Sequence, residues 1–108
     1  MTAVDSGSAQ QDWSELTSDV ERQRFAEISH ALADPKRLCV LEILARGERS
    51  VGDLSREASC HVPNMSQHLA VLRSAGLVHS RREGSTVFYR LTDPRILEAY
   101  RLIQSVAR

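Results

Sequence analysis

The chain has 108 residues, 42% of them hydrophobic and 26% charged, with 14 basic and 14 acidic side chains. That suffices for one domain with a single core, and no apolar run approaches the roughly 20 residues that span a bilayer. A net charge of zero argues at first sight against a nucleic-acid partner.

The charges are unevenly spread, however. Residues 1–34 carry two basic against seven acidic groups, whereas residues 61–90 carry four arginines (Arg73, Arg81, Arg82, Arg90) against Glu83 alone. Phosphate responds to the local field of the contacting face, which salt screens over about 8–10 Å, so a polarised neutral chain remains competent for DNA. The N-terminus lacks the basic-then-apolar order of a signal peptide, and a cytoplasmic protein without a membrane partner is expected. Two cysteines, Cys39 and Cys60, do not make a disulfide framework and are expected to be reduced thiols.

Residues 1–11 are small and polar and are expected to form a flexible tail, leaving 12–108 as the folded domain. Asp12 or Ser14 opens the first helical stretch. Its apolar residues Trp13, Leu16, Val20, Phe25, Ile28 and Leu32 recur at helical spacing, with a break near residues 17–19. Asp34-Pro35 starts the next helix, an acidic N-cap followed by proline at the first helical position. That helix places Leu38, Leu41, Leu44 and Ala45 on the core face and stops at Gly47. Ser50 caps a short helix, VGDLSREA, with Asp53 in the place a capping box gives to Glu or Gln. Pro63 starts a fourth helix that carries Met65, Leu69 and Leu72 inward and ends at Gly76.

The period then falls to two. Leu77 to Arg82 and Thr86 to Leu91 read as strands joined at Glu83-Gly84-Ser85, a β-hairpin. Asp93-Pro94 opens the last helix, with Ile96, Leu97, Tyr100, Ile103 and Val106 on one broad apolar face. The predicted fold is therefore mainly α with a β-hairpin wing, in the order α-α-α-α-β-β-α. A helix-turn-helix from Ser50 to Val78 followed at once by a hairpin is a winged helix-turn-helix, whose second helix lies in the DNA major groove.

With Met65, Leu69 and Leu72 inward, Asn64, Gln67, His68 and Val71 are left outward and Ser66 at the flank. Asn and Gln carry a donor beside an acceptor, matched to the adenine N6/N7 edge, and Ser reaches a base or a phosphate. No acidic residue interrupts Val62 to Leu72. In the hairpin, Arg81, Arg82 and Ser85 stand near a projecting turn that can reach phosphates or the minor groove.

The segments ALADPKRLCVLEIL, SVGDLSREA, NMSQHLAVLRSAGLV and REGSTVFYRL closely resemble the arsenic-repressor-type (ArsR/SmtB) family of bacterial transcriptional regulators, over roughly Phe25 to Leu102. The resemblance implies a homodimeric winged-helix repressor that an inducer releases from double-stranded operator DNA of two-fold symmetry. It places DNA contacts at Asn64, Ser66, Gln67, His68, Arg81 and Arg82. It also places dimer contacts on the first and last helices, at Trp13, Leu16, Val20, Ile96, Tyr100 and Ile103.

Many members of that family bind metal through a Cys-x-Cys pair where this chain has Ser50 and Gly52. Others use an Asp-x-His pair with later histidines, where this chain keeps Asp93 but has Arg95. Neither set holds an ion that takes about four ligands, so no metal and no cofactor is expected. The candidate sensors are the two thiols. Cys39 follows Arg37 by two residues, and Cys60 stands in the turn before the recognition helix, where the family usually has a buried leucine.

Two metal-related or non-inducible alternatives remain at this point: a metal-responsive repressor with a non-standard Cys/His site, and a winged-helix protein-interaction module without an inducer. A cysteine-nucleophile enzyme is disfavoured. Cys60 and His61 are adjacent and their side chains diverge, and no phosphate loop or oxyanion hole accompanies them.

Overall fold

The computed structural model describes residues 16–107. The expected tail at 1–11, Trp13 and the helix start at Asp12 or Ser14 lie outside the described residues. In chain order the elements are α1 (Asp19–Leu32), α2 (Pro35–Leu44), β1 (Arg49–Ser50), α3 (Val51–Glu57), α4 (Val62–Ser74), β2 (Val78–Glu83), β3 (Thr86–Leu91) and α5 (Arg95–Ala107).

Local chemistry accounts for the helix starts. Ser18 caps α1 by a capping box: its hydroxyl accepts from the Glu21 amide at 3.1 Å, and the Glu21 carboxylate accepts from the Ser18 amide at 2.8 Å. The expected break near 17–19 is this cap. Asp34 caps α2, accepting from the Arg37 amide at 3.0 Å, with Pro35 in the first turn. Ser50 caps α3 by accepting from the Asp53 amide at 3.1 Å.

Helix α2 is the centre of the molecule, packed against α1, α3, α4 and β3. Val40, Leu41, Ile43 and Leu44 are buried on it, while Leu38 is half-buried and Ala45 exposed. The expected stripe through Leu38 and Ala45 is displaced because a helix enclosed by four neighbours has no single apolar face. Around it, Leu54 from α3, Met65, Leu69 and Leu72 from α4, Val78 from β2 and Leu97 from α5 complete the core. Each such large side chain contributes about 1.5–3 kcal/mol by leaving water.

The sheet is antiparallel in the order β1-β3-β2. The hairpin register runs from Val78 opposite Leu91 to Glu83 opposite Thr86. This leaves a two-residue turn, Gly84-Ser85, one residue shorter than expected. Gly84 has φ 63° and Ser85 is not left-handed, the pattern of a II′ turn that follows strand twist. The third strand was not expected: Arg49 and Ser50 pair with Tyr89 and Phe88 and tie the wing's base to the start of α3.

Candidate nucleic-acid interface

Four residues, Ala58 to His61, separate α3 from α4. The chain turns there because Ser59 adopts a left-handed conformation (φ 52°). The Cys60 amide then donates back to Ser55 O at 2.9 Å and the Ser59 amide to Arg56 O at 3.3 Å, closing α3 with a Schellman motif. The end of α4 is built the same way with glycine. Gly76 has φ 79°, the Leu77 amide donates to Leu72 O at 3.0 Å and the Gly76 amide to Arg73 O at 2.9 Å. A Cβ at Gly76 would also meet Arg24 Nη2 at 3.1 Å. Both ends of α4 are thus fixed by backbone geometry.

Met65, Leu69 and Leu72 are fully buried and clamp one side of α4 to the core. Asn64, Ser66 and Gln67 are exposed on its first two turns, and the first turn holds no acidic residue. His68 and Val71 are half-buried instead, on the flank toward α2. His68 Nδ1 lies 3.8 Å from Asp34 Oδ2 and 3.4 Å from Arg37 Nη1. Arg37 in turn donates to Ala31 O at 2.7 Å and His30 O at 3.1 Å, joining the end of α1 to this corner. The Arg37 amide hydrogen bond holds the Asp34 carboxyl below the usual carboxylate range.

The wing separates its two expected arginines. Arg81 makes a bidentate pair with Glu48, at 2.7 and 2.9 Å, approaches Glu83 at 3.6 Å and lies 4.6 Å above the Phe88 ring. That hydrogen bond from Arg81 depresses the Glu48 carboxyl as well. Arg82 and Ser85 are exposed near and at the tip. Among the described residues Arg73, Arg82 and Arg90 enter no ion pair. Sequence reasoning missed Glu48, because its distance of 33 residues from Arg81 leaves no local pattern.

Cys39 and Cys60 are free thiols, both half-buried against the core. Cys60 Sγ donates to His61 O at 3.6 Å. Among the described residues no group of three His, Cys, Asp or Glu side chains is arranged to hold a metal ion. No helix among them is long and apolar enough to cross a membrane.

The dimer residues expected on the terminal helices stand in two settings, with Leu16 not in a helix but in the segment before the Ser18 cap of α1. Leu16, Val20 and Ile103 are 82%, 79% and 61% exposed. Ile96 and Tyr100 are half-buried against the chain's own core. Phe25, Leu102 and Val106 add further exposed apolar surface on the same helices.

This architecture matches known proteins. The family model for bacterial regulatory proteins of the arsR family matches residues 34–80, from the N-cap of α2 into the wing. The chain is 39% identical over 98 residues to the biofilm growth-associated repressor of Agrobacterium fabrum, covering 88% of this chain and 81% of that protein. It is 46% identical over 70 residues to the transcriptional regulator KmtR of Mycobacterium tuberculosis, covering 65% of this chain and 54% of that longer protein. Among solved structures it resembles a homodimeric winged helix-turn-helix DNA-binding domain from Mycobacterium bovis. The TM-score is 0.74 and the identity 34%, over 84% of this chain and 87% of that one. The chain belongs to the arsR family of bacterial regulatory proteins, which are winged helix-turn-helix, DNA-binding transcriptional regulators and not enzymes.

Proposed function

We propose that this protein is a homodimeric repressor that grips a two-fold-symmetric operator through α4 and the wing and releases it on a chemical signal in the cytoplasm. The observation that carries this is the division of α4: a fully buried apolar seam holds it rigidly, and exposed Asn64, Ser66 and Gln67 lie on its acid-free first turns. Rigid presentation of side chains that fit base edges is what sequence reading needs. The name of the Agrobacterium relative supports repression, and the Mycobacterium structure supports a homodimer.

Arg82 and Ser85 supply the wing contacts. His68 and Arg81, already engaged with Asp34 and Glu48, act by holding α4 and the wing in place rather than by reaching far into the groove. Exposed Leu16, Val20 and Ile103, continued by half-buried Ile96 and Tyr100, form the dimer face with Trp13. Release runs through a thiol or a small inducer. Cys60 is the better-placed thiol, since its amide closes α3 and its side chain touches the cap of α4.

The test is a mobility shift on a duplex selected by the protein from a random library. A bidentate base contact is worth about 1–3 kcal/mol, so Asn64→Ala with Gln67→Ala is expected to weaken specific binding at least thirtyfold, roughly. Unchanged affinity would remove α4 as the reader. Binding repeated with and without reductant on Cys39→Ser and Cys60→Ser identifies the sensor as the variant that no longer lets go, and indifference of both excludes thiols.

A further inference from the structure

Beside the reading face, α4 shares a cleft with the first turn of α2. The cleft has a volume of about 500 Å³, and its polar lining includes Lys36 and Arg37 from α2 and His61, Asn64, Gln67 and His68 from the start of α4. No carboxylate lines it. Asp34, the acidic residue beside it, is occupied by the Arg37 amide it caps and by the His68 ring.

The two cations differ in how they are held. The Arg37 guanidinium is turned toward the end of α1, giving two of its five N–H groups to the carbonyls of Ala31 and His30 and facing the His68 ring at 3.4 Å. Lys36 Nζ donates to one acceptor, Ala58 O, at 2.5 Å. An ammonium has three N–H donors, so two remain. The bond to Ala58 also holds this part-buried charge at the mouth of the helix-turn-helix instead of leaving it to swing in solvent. His61, the N-cap residue of α4, is exposed and makes no side-chain cap bond, and with Pro63 lacking an N–H the first turn leaves the Val62 and Asn64 amides without a side-chain cap.

We propose that this cleft is a phosphate site: it takes one backbone phosphate of bound DNA, with Lys36 Nζ as the charged ligand and the His61 ring beside it. This assignment rests on DNA binding by α4 as proposed above. A phosphate contact here fixes the register of α4 along the groove, so that Asn64 and Gln67 meet the intended bases. Free inorganic phosphate shares the same oxyanion chemistry and would occupy the same groups without DNA.

The probes are the library-selected duplex and a random-sequence duplex of equal length. Lys36→Gln keeps a donor but removes the charge. It is expected to weaken binding to both duplexes by the same factor, roughly tenfold, while the preferred sequence stays the same. The slope of log K against log salt should become shallower by about 0.9, and Lys36→Arg should restore it. A neutral methylphosphonate scanned along one strand should find a position that weakens the wild type but adds nothing to Lys36→Gln, a readout that needs no change to the protein.

An unchanged slope in folded Lys36→Gln overturns the proposal, as does a loss confined to the selected duplex. An unchanged slope with DNA displaced by inorganic phosphate, beyond a chloride control of equal ionic strength, gives the cleft to a free anion and also overturns it. Failure of the wild type to bind either duplex overturns DNA binding itself, and this site with it.

Discussion

The winged unit from Asp34 to Leu91 and the two helices that flank it solve the same problem in opposite ways. Within the winged unit, Leu41, Leu54, Met65, Leu69 and Leu72 lie at or near zero exposure, and no helix exceeds 13 residues. On α1 and α5, Val20, Phe25, Leu102, Ile103 and Val106 stand in solvent, and α5 buries only Leu97. Each exposed large side chain forgoes about 1.5–3 kcal/mol of burial. One part of the chain therefore completes its core alone, whereas the other keeps apolar area for a second surface. In the proposed function, reading and assembly fall on separate residues, so each is expected to be alterable alone.

The comparison breaks first under core truncation. Leu69→Ala is expected to cost about 2–5 kcal/mol, seen as a shifted urea midpoint with unchanged slope, and to abolish DNA binding with the fold. Ile103→Glu should do the reverse. Sedimentation is expected to show at least a tenfold rise, roughly, in the dimer dissociation constant while the winged unit keeps its helical signal. If Ile103→Glu unfolds the protein as readily as Leu69→Ala, the division between the two regions is wrong.

Asp34→Ala tests the joint between them and should cost about 1 kcal/mol through loss of the α2 cap. Its pH dependence has a definite sign. A carboxyl held below its ordinary value of 3.8 stabilises the fold above that pH and loses the effect as pH falls through its lower folded value. Wild type and variant should therefore converge in strong acid, and a constant gap would show that the cap is not the cause. The smallest change expected is a gain: Ser59→Gly relieves a left-handed residue and should stabilise by about 0.5–1 kcal/mol in thermal or urea unfolding.

Much of this was legible in the sequence because it is local. Asp34, Ser50 and Gly76 mark helix ends through hydrogen bonds that span four to six residues, Pro35 and Pro63 through their fixed backbone angle, and α4 shows a clear period because only one of its sides is buried. The capping box Ser18-Asp19-Val20-Glu21 is equally local, yet in the apolar spacing it shows only as a break. Features that join distant segments left no such trace. The pair Glu48–Arg81, the contact of His68 with Asp34 and the strand Arg49–Ser50 each need the fold before they exist. The same holds for the exposure assigned to His68, which periodicity alone placed outward.

The strand order β1-β3-β2 has a consequence for solubility. β1 covers only Phe88 and Tyr89 of β3, so the wing's full-length open flank is β2, whose outer row of backbone donors and acceptors has no partner among the described residues. Such a row is a template for another copy of itself, and a two-fold dimer with one on each wing could propagate into filaments. His79, Arg81, Arg82 and Glu83 place a charge or an imidazole at nearly every step along it. Like charges brought edge to edge repel, so these side chains act as gatekeepers against self-stacking. Apolar replacements at Arg81 and Arg82 would then be expected to precipitate the protein before any effect on transcription could be read.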